Sequence, residues 1–194
     1  KVVGSNPAVF IRMQESGNEG RDTTLELIAF LGAVSLFFST IEYIIPKPVP
    51  FFRLGLANLP ISVTLPFFKS RHTLLLVLLK VLGQGLINGT LASYVFFFSL
   101  AGSFASVFAM LAAHRLGGRQ ITLIGVSIMG ALASNVVQVL LSVFFIFGTT
   151  AWVIAPLFLI LGCTSGVAIG IFAQHFFRRS GWLEEVRREY SATE

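Results

Sequence analysis

Ile121-Thr-Leu-Ile-Gly-Val-Ser-Ile-Met-Gly-Ala-Leu-Ala-Ser-Asn-Val-Val-Gln-Val-Leu-Leu-Ser-Val-Phe-Phe-Ile-Phe147 contains no charged side chain. A helix needs roughly 20 predominantly apolar residues to cross a hydrocarbon core of about 30 Å. This stretch is long enough, and it predicts a membrane-spanning helix. Similar runs lie on both sides of it, from about Leu25 to Ile45, Leu91 to Ala113 and Trp152 to Phe177. Two shorter runs, about Leu54 to Phe68 and Thr73 to Gly89, complete a set of six.

The charge distribution agrees. From Tyr43 to Leu183 the chain has no Asp or Glu, although it has nine in all. A soluble surface of that extent needs carboxylates, whereas ionised groups are costly in hydrocarbon. Hydrophobic residues make up 55% of the 194 and charged residues 12%, too few charges to cover a soluble domain. The net charge is +5. Because the basic residues sit at the ends of apolar runs, the excess reads as membrane topology and not as a nucleic-acid surface. The single Cys163 allows no intrachain disulfide and no metal framework.

Residues 1–24 are polar and are expected to form a cytoplasmic tail, 25–177 a transmembrane domain, and 178–194 a second cytoplasmic tail. The first apolar run begins late, is long, and has no small-residue cleavage site after it. It therefore reads as a retained helix and not as a signal peptide. The second run carries Pro60 and Pro66 and follows Pro46, Pro48 and Pro50. Proline removes a donor and kinks a helix, so a kinked or broken second helix is expected. Irregular backbone at membrane depth is tolerated inside protein or beside a cavity.

Short connections make sequential segments antiparallel neighbours. With both termini on one side, that side holds Lys1, Arg12, Arg21, Lys69, Arg71, Arg115, Arg119, Arg178, Arg179, Arg187 and Arg188, against Lys47 and Arg53 opposite. Cationic loops stay in the cytoplasm, so six crossings with both ends cytoplasmic are expected. The fold class is an all-α membrane protein, a six-transmembrane-helix bundle.

Several interior polar residues are candidates for binding. Glu42 lies near the end of the first helix. Lys80 lies inside the third, where it either receives an anionic group or snorkels to the headgroups. Arg53 and Asn58 flank Gly55 beside the proline-broken segment, where freed carbonyls and amides suit a membrane solute site. Gln84 and Asn88 share one helix face, as do Asn135 and Gln138. Such amides either clamp a polar ligand or bond helix to helix. Ala29 and Ala33 share a face where another helix can pack closely.

Catalytic signatures are sparse. There is no phosphate-binding loop ending in Lys-Ser or Lys-Thr. The body has no paired carboxylates, and His72, His114 and His175 are isolated. No catalytic residue, metal site or cofactor is assigned, and the chain is expected not to be an enzyme.

The stretch Glu42-Tyr-Ile-Ile-Pro-Lys-Pro-Val-Pro-Phe-Phe-Arg-Leu-Gly-Leu-Ala-Asn58 resembles the bacterial membrane family of heptaprenyl diphosphate synthase component I, also called the Gx transporter family. The likeness continues through Ser99-Leu-Ala-Gly-Ser103 and Gly125-Val-Ser-Ile-Met-Gly-Ala-Leu-Ala-Ser-Asn135. That family is similar to the S components of energy-coupling factor (ECF) transporters. The resemblance implies a substrate-binding component for uptake of a vitamin or cofactor precursor in a bacterial cytoplasmic membrane. It further implies a small-molecule solute, and as partners a coupling subunit and two ATPases, with Ala29 and Ala33 as the docking element. The family's other description implies an alternative, a non-catalytic accessory subunit of prenyl diphosphate synthesis. Chain elongation of that kind uses Mg²⁺ held by aspartate-rich motifs, and this chain has one aspartate, Asp22.

Overall fold

The structure, a computed structural model, describes residues 7–45, 55–117 and 121–181, with side chains from Thr24 onward. All the long regular elements described are helices. They are α1 (Pro7–Ile44), the short α2 (Leu59–Thr64), α3 (Ser70–Ile87), α4 (Tyr94–Gly117), α5 (Leu123–Ser142) and α6 (Ala151–Arg179). Four stretches are long and apolar enough to cross a bilayer: Thr24–Ile44, Ser70–Ile87, Tyr94–Gly117 and Leu123–Phe176. The last holds both α5 and α6, joined through a wide turn at Val143–Phe147 and a tight one at Gly148–Thr150. The protein is therefore a multi-pass membrane bundle of five long helices. The polar segment before Thr24 is helical from Pro7, so α1 runs on beyond its apolar part.

The second apolar segment is not a single bent rod. Gly55 has φ 85°, which a side chain would strain, and opens a tight turn over Leu56–Asn58. The six-residue α2 follows with Pro60 in its first turn, where the missing N–H costs nothing. At about 1.5 Å per residue, α2 alone is far too short to cross a bilayer. Its residues Pro60 to Thr64 are all buried, so this irregular backbone is enclosed by protein.

Glycines bring the helices into close register. A Cβ on Gly170 would lie 2.5 Å from Ile124 Cα, and one on Gly166 would lie 2.9 Å from Ile128 Cα. These approaches, backbone against backbone, make α5 and α6 a tight antiparallel pair. Gly130 faces Met110 and Ser106, and Gly102 faces Ser134, which sets α4 antiparallel to α5. Gly32 of α1 meets Leu79, and Gly83 of α3 meets Leu36, so α1 and α3 run parallel. The chain between them must return from one end of the bundle to the other.

The two ends differ. Exposed Lys69, Arg71, Arg115, Arg178 and Arg179 gather at one. Tyr43, Tyr94 and Trp152, each more than half exposed, ring the other, as aromatics do at a membrane interface. Toward the basic end the interior is apolar, with Ile28, Leu31, Ile61, Leu65, Leu76 and Val77 in one cluster. Glu42, Ser99 and Gln138 are buried nearer the aromatic end, and Thr73 and Ser127 nearer the basic one.

Candidate functional site

The interior polar site begins with Lys80, which is 2% exposed and does not snorkel. Its Nζ donates a short hydrogen bond to Asn58 Oδ1. Asn58 Nδ2 donates to Ser106 Oγ at 3.3 Å, and its backbone carbonyl accepts from Ser62 Oγ at 3.1 Å. Ser127 Oγ donates to Ser62 Oγ at 3.3 Å. One asparagine thus ties α2, α3, α4 and, through a serine, α5. Glu42 is also buried, at 5% exposed, and its Oε1 accepts from the Gly55 N–H at 3.2 Å. That contact fixes the end of α1 to the turn before α2.

Glu42, Gly55, Asn58, Lys80, Ser103, Ala131, Ser134 and Asn135 line one cavity of about 10 Å³. A buried charge needs a partner or hydrogen bonds, and here an acid and a base border the same space. The volume is that of a single water, whereas pockets for small molecules run to roughly 300–1,000 Å³. Asn135 Nδ2 donates to the Phe158 carbonyl at 2.7 Å, joining α5 to α6.

Four of the residues singled out from sequence, Glu42, Asn58, Lys80 and Asn135, therefore meet in one place. Gln138 lies a turn away, fully buried, with Nε2 donating to Ser134 Oγ at 3.3 Å. Its Oε1 and that of Gln84 are buried without a hydrogen-bond partner. Asn88 ends α3, where its backbone N–H bonds back to Gln84 O. Ala29 and Ala33 are both exposed on α1. Arg53 lies outside the described residues. Sequence reasoning missed the serines, Ser62, Ser103, Ser106, Ser127 and Ser134. Their signal was helical spacing within apolar runs, Ser103 with Ser106 and Ser127 with Ser134.

No three His, Cys, Asp or Glu side chains gather into a metal-binding group among the described residues. On the side of the bundle, α1, α2 and α6 enclose a second, larger cavity of about 480 Å³ whose lining is apolar.

A family model, described as heptaprenyl diphosphate synthase component I, matches residues 31–176. No curated protein and no solved structure matches the chain. The match takes in most of the membrane part of α1 and almost all of α6, so it covers the bundle. It corrects several expectations. A synthase component is part of an enzyme, which overturns the expectation of a non-enzyme. The reading as a substrate-binding ECF S component for vitamin uptake fails for the same reason, and with it the coupling subunit and two ATPases as partners. The geometry gives a physical reason alongside. Of the side chains expected to hold a solute, Lys80 and Asn58 bond to each other, and Glu42 and Asn135 to backbone groups, around a space of about 10 Å³.

Proposed function

The chain belongs to the heptaprenyl diphosphate synthase component I family, and from that membership we propose that it is the membrane-embedded subunit of a prenyl diphosphate synthase complex. Its partner is the paired synthase component. The observation that carries this reading is the extent of the family match, which takes in the bundle from residue 31 to 176. The single aspartate of the sequence, Asp22, supports a division of labour. The paired component brings the aspartates that hold the metal and diphosphate, and this subunit keeps the assembly at the bilayer, where a lengthening apolar product partitions.

The same reading covers topology. Residues 25–177 form the membrane domain, with 1–24 and 178–194 as cytoplasmic flanks. Parallel α1 and α3 support a returning crossing between them, made by the broken segment around α2, for six crossings in all. The basic end lies in the cytoplasm of a bacterial inner membrane, as the preference of cationic loops for that side supports. That end, with Lys69, Arg71, Arg115, Arg178 and Arg179, is the face that meets the paired component. Glu42, Asn58, Lys80 and Asn135 brace the interior, with Arg53, Gln84, Asn88 and Gln138 around them. Exposed Ala29 and Ala33 give another membrane helix of the complex a close approach.

The test is co-expression with the paired component, extraction in mild detergent and purification on a tag carried by this chain. Both chains are expected in one complex, and prenyl elongation in membranes is expected to fall at least tenfold when this chain is deleted. An unchanged elongation rate and product length in the deletion strain overturns the proposal.

A further inference from the structure

The larger cavity follows from the shortness of α2. A full-length helix between α1 and α6 would fill the space between them, and six residues do not. The result is a slot of about 480 Å³, walled by Phe30 and Phe38 of α1 and by Phe172 and Phe176 of α6, over a floor of Pro60 and Val63. Phe172 and Phe176 lie parallel, 7° apart with centroids at 6.4 Å, and form a flat aromatic wall. Its size falls within the range of small-molecule pockets. The slot lies at membrane depth, in the part of the bundle nearer the basic end.

The second observation is charge. Residues three, four and seven apart share a helix face, so the stripe Phe172, Phe176 continues to Arg179. Arg178 and Arg179 are exposed and basic, in the last turn of α6. The stripe that walls the slot therefore ends on Arg179. An apolar groove running onto an arginine complements a molecule with an apolar tail and an anionic head, and arginine matches phosphate oxygens in pairs.

The geometry points to this slot as the seat of a polyprenyl diphosphate, with its isoprenoid chain between α1 and α6 and its diphosphate on Arg179. The choice of a single-chain isoprenoid over a two-chain phospholipid rests on the synthase reading. It deepens that reading by giving this subunit a product site of its own. The tail gains little by leaving lipid for the slot, because acyl chains are as apolar as the lining. Selection therefore rests on the diphosphate at Arg179, and on packing against Phe172 and Phe176.

The experiment uses the full chain in phosphatidylcholine nanodiscs with radiolabelled heptaprenyl diphosphate as probe. Saturable binding is expected, competed by unlabelled probe and not by heptaprenol or phosphatidylglycerol. The substitution R179Q is expected to weaken binding at least tenfold. Val34→Phe, which puts a ring into the slot from α1, is expected to do the same with the heat stability unchanged. Wild-type affinity in both folded variants overturns the site, as does equal competition by phosphatidylglycerol, which would make it a phospholipid groove. Copurification with the paired component without probe binding would overturn this inference and leave the synthase reading standing. Saturable binding by a chain that captures no paired component would support the site and count against the complex.

Discussion

The segment from Gly55 to Phe68 serves two regions of opposite character. Toward the bundle axis it presents Gly55 and Asn58 to a cavity of about 10 Å³ bordered by two ionisable groups. Toward the side it presents Leu59, Pro60 and Val63 to an apolar space of about 480 Å³. The polar region is small because hydrogen bonds pull its walls together. The apolar region is large because nothing draws α1 and α6 across the gap. Around the axis Lys80, Asn58, Ser62, Ser106 and Ser127 are bonded to one another, and the larger space is left where the lining is apolar.

The comparison can be broken most forcefully at Lys80. Replacing one member of a buried charged set strands the rest, at a cost of about 3–5 kcal/mol. Lys80→Met is therefore expected to lower the heat-denaturation midpoint in detergent more than any other single change considered, and Glu42→Gln added to it is expected to restore part of the loss. A Lys80→Met chain as stable as the parent would show that the charges do not hold the axis.

Next comes the backbone contact of α5 with α6. Gly170→Ala places a methyl against Ile124 Cα, and overpacking of this kind costs about 1–3 kcal/mol. Thermal unfolding followed by circular dichroism reads it. Asn135→Ala removes the 2.7 Å bond to the Phe158 carbonyl, which keeps its place in the α6 ladder, and losing one such bond is expected to cost about 1 kcal/mol. Ser127→Ala should cost less, about 0.6 kcal/mol, the average found for hydrogen bonds between membrane helices. On the lateral side, Phe172→Leu is expected to move stability by less than about 1 kcal/mol, because Phe172 is 53% exposed. A large loss there would mean that the slot is structural and not a vacancy kept for a guest.

Much of the bundle was readable from sequence because membrane solvation acts residue by residue. The apolar runs gave α3, α4, α5, α6 and the membrane part of α1 nearly at their observed limits. The prolines led to the expectation of a kinked or broken second helix. They did not reveal how short α2 is, since that depends on Gly55 adopting a left-handed turn and on neighbours that satisfy the freed backbone. The site was half legible. Glu42, Asn58, Lys80 and Asn135 stood out as polar among apolar residues, but their meeting depends on the parallel α1 and α3. Whether Lys80 snorkels depends on helix depth and neighbours, which its own sequence context does not fix. The lateral slot left no sequence signal, because a gap belongs to no residue. The solute reading failed through its choice between the family's two descriptions, and the polar residues alone did not discriminate between them.

The bond from Lys80 to Asn58 also bears on how the chain enters its membrane. Synthesis runs from the N-terminus, so Glu42 and Asn58 have both left the ribosome before Lys80 does. A lysine at the centre of a lone helix costs about 2.5–3.5 kcal/mol on insertion scales. Here its acceptor is already waiting upstream, and α3 need not wait for α4 or α5 to be made. For Lys80, the order of residues along the chain is thus an order of assembly, in which the costly group arrives after the one that receives it.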